Sequence, residues 1–289
     1  MKFALRIFFI FAMVWIFIRG SIYLLPGDPV DYLVNESLIQ AKDEKTITEI
    51  KQRLDLDLSF ENRIFSLPSE FSVVNGKLVY PMLKDALIHS CKLASLTFLI
   101  SIIMTFTLLY LGYLSKRWKE VGEGLSIFLA SVPIFISGPL LLFLFSIKIN
   151  LFPAMNSPIL PAFCLGIYLT GFWFRSVSQK IDAYLPISAV SGARARGMDE
   201  FRIFIFYLIA PCLGSLIRFF SSQVGNIFNG SLIVELIFKW EGIGFLLADS
   251  INHRDYPLIE SLLIIISSIT LISLQIGKWL QVKMEPRQQ

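Results

Sequence analysis

Apolar positions gather into six long runs, near residues 3–25, 92–114, 125–147, 159–174, 212–235 and 258–280, with polar stretches between them. A helix needs about 20 mostly apolar residues to cross the hydrocarbon of a bilayer, so the pattern predicts six transmembrane helices, the fourth one short. Alternation of the strand type, in segments of about ten residues, is missing. That disfavours a closed barrel, the other structure able to satisfy its backbone in lipid. The first run follows Lys2 and Arg6, as a signal peptide would, but no small-x-small cleavage pattern succeeds it and Arg19 interrupts it before Pro26. It reads as a retained signal-anchor helix.

Composition agrees with the pattern. Of 289 residues, 55 % are hydrophobic, 14 % aromatic and only 17 % charged, with a mean hydropathy of +0.65, which excludes an ordinary soluble domain. Basic residues set the orientation, because short cytoplasmic loops carry the Lys and Arg excess. With the N-terminus inside, the inner segments hold Lys2 and Arg6; Lys116, Arg117 and Lys119; Arg175, Lys180, Arg194, Arg196 and Arg202; then Lys278, Lys283 and Arg287. The outer connections at 148–158 and 236–257 are poorer, and Glu241, Asp249 and Asp255 offset their cations. Both termini are therefore expected in the cytoplasm. This asymmetry accounts for the net charge of +4 without nucleic acid as a partner.

The chain divides into a first helix with a long outer loop, 1–88, and a core of five further helices, 89–289, in which 175–211 is a polar inner connection. Pro26-Gly27-Asp28-Pro29 stops the first helix. In the loop, Thr46 to Leu58 places Ile47, Ile50 and Leu54 at helical spacing, which predicts a short amphipathic helix lying on the outer surface, with contact to substrate as the alternative.

Chemistry of its own is scarce. No GxxxxGK[ST] loop is present, so the chain has no ATPase site of its own. His89 and His253 stand in unrelated segments without HExxH or CxxC company, and Cys91, Cys164 and Cys212 have no paired spacing; neither a metal site nor a disulfide framework is expected. Ser131 and Ser137 lack a base that would make either a nucleophile. Span middles carry almost no carboxylate, which argues against a proton- or sodium-driven carrier. Glu235 and Glu260 fall at span ends, while Arg19 and Arg218 lie within two turns of an end and can snorkel.

Two features invite a function. Ser188 to Arg202, SAVSGARARGMDEFR, puts Gly197 after Arg194 and Arg196 as a helix stop and Asp199 as the N-cap of the next helix. The result is a helix, a glycine turn and a second helix. Ala189, Gly192 and Ala193 share one face and would let another backbone approach; a basic helix resting on anionic lipid headgroups is the alternative. On the fifth span, Ser222, Asn226 and Asn229 follow i, i+4, i+7 as a polar stripe, suited to hydrogen bonds with a neighbouring helix or to a wet path.

SGARARGMDEFRIFIFYLIAP resembles the coupling-loop signature of bacterial ABC importer permeases, and in particular the TARAKG form of the dipeptide/oligopeptide permease group. Other segments agree in order: Pro26-Gly27-Asp28-Pro29 with PGDP, Ser131-Val132-Pro133-Ile134-Phe135 with SxPxF, and Glu285-Pro286-Arg287 with a terminal DPR. Gly230 to Glu235, Phe238, Gly242 and Gly244, then Arg254-Asp255-Tyr256-Pro257, resemble GxxxxExxFxxxGxG followed by RDYP. The chain departs from the group at Ala189 and Ser191, where Tyr and Arg are usual, at Pro186, and at Tyr207 and Pro211, where His and Asn are usual.

The resemblance implies an all-α, polytopic type I ABC importer permease of the bacterial inner membrane. It implies a second permease, making a heterodimer, two cytoplasmic ATPase subunits that use ATP and Mg, an extracytoplasmic solute-binding protein, and no cofactor on this chain. The expected ATPase-coupling residues are Ala189, Ser191, Gly192, Ala193, Arg194, Ala195, Arg196, Gly197 and Met198. Ser222, Asn226 and Asn229 would line a path if they do not pack between helices. Glu235, Gly242, Gly244, Arg254, Asp255, Tyr256 and Pro257 would form an outer loop or gate, the last four standing equally well as a loop pinned by its own ion pair and proline. Peptides delivered by the binding protein are the implied cargo, nickel the nearest rival. A scaffold that grips a soluble partner through Ser188 to Arg202 is the alternative outside transport.

Overall fold

A computed structural model describes residues 2–23, 69–72, 74, 76–153, 157–184 and 187–284. Pro26-Gly27-Asp28-Pro29, the amphipathic segment 46–58, Pro186 and Glu285-Pro286-Arg287 lie outside them. Helices account for almost all of it: α1 (Lys2–Tyr23), α2 (Val79–Leu114), α3 (Lys116–Ser131), α4 (Ile134–Leu142), α5 (Ile159–Tyr184), α6 (Ile187–Ala195), α7 (Glu200–Ile203), α8 (Leu213–Phe238), α9 (Ile243–Asn252) and α10 (Tyr256–Met284). Phe143–Lys148 and Phe204–Ile209 are π-helical, and Ala210–Cys212 is a 3₁₀ turn. The only bridge of strand type among the described residues joins Phe71 and Leu78.

Among the described residues, four helical stretches are long and apolar enough to span a bilayer: Val79–Leu114, Ile159–Ala183, Glu200–Phe238 and Tyr256–Leu280. The fourth expected span thus reaches full length, because the helix continues past the apolar run through Arg175 and Lys180 to Tyr184. The third does not cross as one rod. Its two halves, Lys116–Leu129 and Ile134–Lys148, meet at an angle of 100°. Pro133 supplies the cause, since it lacks an N–H and forces Val132 out of the helical region, to φ −90°, ψ 115°. In α1 the described apolar stretch is Phe9–Ser21.

The chain forms two compact units, one of residues 1–90 with 241–269, the other of 91–240 with 270–289. In the first, Ile18, Tyr256 and Ile259 make a small core with Val14, Leu247, Leu263 and Ile264 packed on it. Arg19 does not snorkel. Its side chain is 4 % exposed and its Nη1 lies 2.5 Å from Oε2 of the equally buried Glu260, so an ion pair ties α1 to α10. The Trp15 ring adds a cation–π contact at 5.5 Å.

In the second unit α5 is the central helix, with 61 % of its most apolar window buried. α3, α4 and α8 pack on it. Small residues set the approach: a Cβ at Gly122 of α3 would stand 2.7 Å from the Phe174 ring, and one at Gly166 of α5 would stand 2.9 Å from Ile100 of α2. Lipid-embedded helices lack a hydrophobic drive toward each other, and close approach is how they gain dispersion energy. At the centre Trp173 is fully buried against Phe98, Phe219 and Phe220.

Candidate functional site

The polar connection between α5 and α8 folds as an elbow. α6 ends at Ala195; Gly197, at φ +76°, takes the left-handed conformation that a side chain resists, and Met198 N–H returns to Ala193 O at 3.3 Å. Asp199 then caps α7, its carboxylate accepting from the backbone N–H of Phe201 at 3.0 Å and of Arg202 at 3.4 Å. A cap of this kind is worth about 1 kcal/mol. Replacing Asp199 by Ala should therefore raise amide hydrogen exchange at Phe201 and Arg202 while leaving α5 and α8 unchanged, and hydrogen-exchange mass spectrometry over 196–210 measures it.

The face expected to stay open is partly closed. Ala193 is wholly buried in a cluster with Phe174, Val177, Ile181, Ile203, Phe204 and Leu208, and Val190 and Met198 pack on the same cluster. Alanine fits there because α6 must lie close to the bundle, so it is the chain's own core that uses the small residue. Ser188, Ser191, Arg194, Ala195, Arg196 and Gly197 are exposed, and Ala189 and Gly192 are half-buried. These are the elbow residues a partner can reach.

Both arginines are engaged within the chain. Arg194 holds Glu200 in a two-pronged contact, Nε to Oε1 at 2.7 Å and Nη2 to Oε2 at 3.0 Å, and Nη2 also donates to Tyr113 Oη at 3.2 Å. Tyr113 O–H donates in turn to Glu200. The Glu200 carboxylate, through its hydrogen bonds first and its charge second, pushes the Arg194 guanidinium further above its ordinary range. Arg196 donates to Tyr207 Oη at 3.1 Å, so the tyrosine at which the sequence departs from the peptide permease pattern receives one of the elbow cations.

The polar stripe on α8 is divided. Ser222 Oγ bonds back to its own helix at Phe219 O, 2.6 Å away. Asn226 and Asn229 are exposed. Interhelical bonding belongs instead to Gln223, 4 % exposed, whose Oε1 accepts from Trp173 Nε1 at 3.2 Å and from Asn226 Nδ2 at 3.2 Å. Sequence reasoning missed Gln223 because it sits one residue off the stripe. An amide that interrupts an apolar face was the available signal.

At the other loop, Glu235 is fully buried near the end of α8, with its carbonyl accepting from Trp240 N–H at 2.9 Å. Gly242 and the buried Gly244 open α9, and Ser90 Oγ receives the Ile243 N–H at 2.7 Å. The pinning of Arg254-Asp255-Tyr256-Pro257 differs from the one expected. Arg254 stops α9 at φ +55°, while Asp255, 1 % exposed, accepts from Ser72 Oγ and caps α10 at Leu258 N–H, 3.4 Å. An ion pair between Arg254 and Asp255 is therefore not what fixes the loop. Tyr256 and Pro257, both buried, form the first turn of α10, where a proline costs no hydrogen bond. Among the described residues no group of His, Cys, Asp and Glu could hold a metal ion.

Among the described residues, membrane-length helices without a sheet, joined through a glycine elbow, have the fold of a type I ABC importer permease. A solved structure described as an amino acid ABC transporter with histidines matches with a TM-score of 0.54 and 19 % identity, over 72 % of this chain and 94 % of that one. Residues 98–289 match the family described as the binding-protein-dependent transport system inner membrane component, and the chain belongs to that family. It is 26 % identical over 277 residues to the nickel import system permease protein NikB of Staphylococcus aureus strain MRSA252, covering 92 % of this chain and 84 % of that protein. The protein of the same name from strain USA300 is also 26 % identical, over 275 residues.

Proposed function

We propose that this chain is one of two permeases in a heterodimeric, ATP-driven importer of a nickel chelate, with its termini and its elbow on the cytoplasmic face. The observation that carries the reading is the elbow: a short helix with an exposed polar face, stopped by Gly197 and relaunched by Asp199, between two spans of a chain of this family. A rigid helix pair of this kind can transmit motion, and the chain has no nucleotide loop to generate it. Two ATPase subunits would bind ATP and Mg and push on α6; an extracytoplasmic binding protein would deliver the cargo on the opposite side. Alternation between inward-open and outward-open states then needs only that ATP-bound ATPases favour one of them.

The names of the relatives support nickel. Since the described residues offer no metal-binding cluster, the ion would travel inside a small chelate, and Asn226 and Asn229 are neutral hydrogen-bonding groups suited to its polar rim. A second reading, short peptides, is favoured by the resemblance of 230–257 and of the elbow to the peptide permease group, and the same amides would suit peptide backbones. Reconstitution with copurifying permease, ATPase and binding protein decides between them. Proteoliposomes are given nickel(II), free and as a small-molecule chelate, and a set of short peptides. ATP-dependent nickel accumulation supports the proposal, peptide accumulation alone replaces its cargo, and a chain that copurifies with no ATPase is not a transporter subunit.

A further inference from the structure

Beneath the elbow the packing is interrupted. A cavity of about 300 Å³ opens between α6 and the bundle, bordered by Gly112, Tyr113, Lys119, Ser191, Arg194 and Phe204. α6 packs on the core through Ala193 and Val190, with Met198 of the turn, and Val190 also borders the cavity. On the cavity side, contact is made by side chains that reach around the gap. Arg194 leaves α6 and grips Glu200, the first residue of α7, while Tyr113, in the last turn of α2, bonds to both. Aromatic contacts continue the connection, Tyr113 to Phe204 at 5.9 Å and Tyr110 to Phe201 and Phe204 at 5.5 and 5.3 Å.

We propose that Tyr113 and Glu200 are positioning residues for coupling: they hold Arg194 so that displacement of α6 is delivered to α2 and α7 together and is not absorbed in the cavity. The inference rests on the transport reading above, and it gives Arg194 a task inside the chain in place of a contact with the ATPase. Helix interfaces move as discrete rearrangements of packed elements. For a nine-residue helix bordered by an open cavity, a strut of this kind adds a second attachment to the bundle. The guanidinium–carboxylate fork suits the task because two parallel bonds fix orientation as well as distance. Arg194 and Glu200 are 55 % and 37 % exposed as side chains. Exposed pairs of this kind contribute little to stability, so their loss separates coupling from folding.

The test uses the full complex in proteoliposomes with whichever probe, nickel(II) chelate or short peptide, the wild type accumulates. Glu200→Gln should leave assembly and thermal stability near wild type, yet raise ATP hydrolysed per molecule of cargo about fivefold, the low end of coupling between distant sites. Tyr113→Phe should raise it less. The exchanged pair, Arg194→Glu with Glu200→Arg, should restore the ratio and still copurify with the ATPase. Wild-type ratios in Glu200→Gln and Tyr113→Phe would overturn the strut alone, as would an exchanged pair that loses the ATPase, the result expected of a direct contact. Failure of the wild-type complex to couple ATP to uptake would overturn the transport reading and the strut with it.

Discussion

Replacing Glu260 by Ala should cost about 3–5 kcal/mol of stability, the usual penalty for breaking a buried ion pair by removing one partner. Arg19, 4 % exposed, would keep its guanidinium in the interior of the first unit with its carboxylate partner gone. Arg19→Ala should be as harmful, because it removes the cation that the buried Glu260 carboxylate faces. The decisive variant is the double substitution Arg19→Met with Glu260→Leu. Two well-packed apolar side chains often match or exceed a buried pair, since neither charge must be desolvated. We therefore expect the single variants to lose yield and melt early in detergent, and the double variant to return close to wild type. If the double variant is as unstable as either single, the pair contributes through its own bonding geometry, and lone-charge burial is not the cause.

That ion pair marks where the sequence stops being legible. Its members are 241 positions apart, and each taken alone, near the end of an apolar run, has an ordinary explanation as a snorkelling or interfacial residue. Only the tertiary arrangement of α1 and α10 converts two unremarkable residues into one buried pair. The elbow was legible because its determinants are local: Gly197 and Asp199 act on their own backbone within three residues. The bend in the third span is visible in the sequence as Pro133, since a proline in an apolar run carries its structural meaning beside its place in SxPxF. Four of the six apolar runs lie in helices long enough to span, and these helices continue beyond the apolar run, as α5 does through Lys180 to Tyr184.

Trp173 marks the other large effect, and it separates two contributions that a soluble protein would merge. In lipid the apolar side chain has no water to escape, so its value lies in contacts: edge-on rings of Phe98 at 5.5 Å, Phe220 at 5.1 Å and Phe219 at 6.5 Å, and dispersion with the rest of the α5–α8 seam. Trp173→Ala removes all of this and opens a void at a fully buried position, at a cost of about 3–5 kcal/mol. Trp173→Phe keeps most of the ring packing and loses the bond from Nε1 to Gln223. Interhelical hydrogen bonds in membranes average about 0.6 kcal/mol, and Gln223 Oε1 retains Asn226 as a donor, so this variant should stay near wild type. Thermal unfolding in detergent, followed for both variants, orders the two terms. A Phe variant as damaged as the Ala variant would mean that the indole–amide bond, and not aromatic packing, holds α5 to α8.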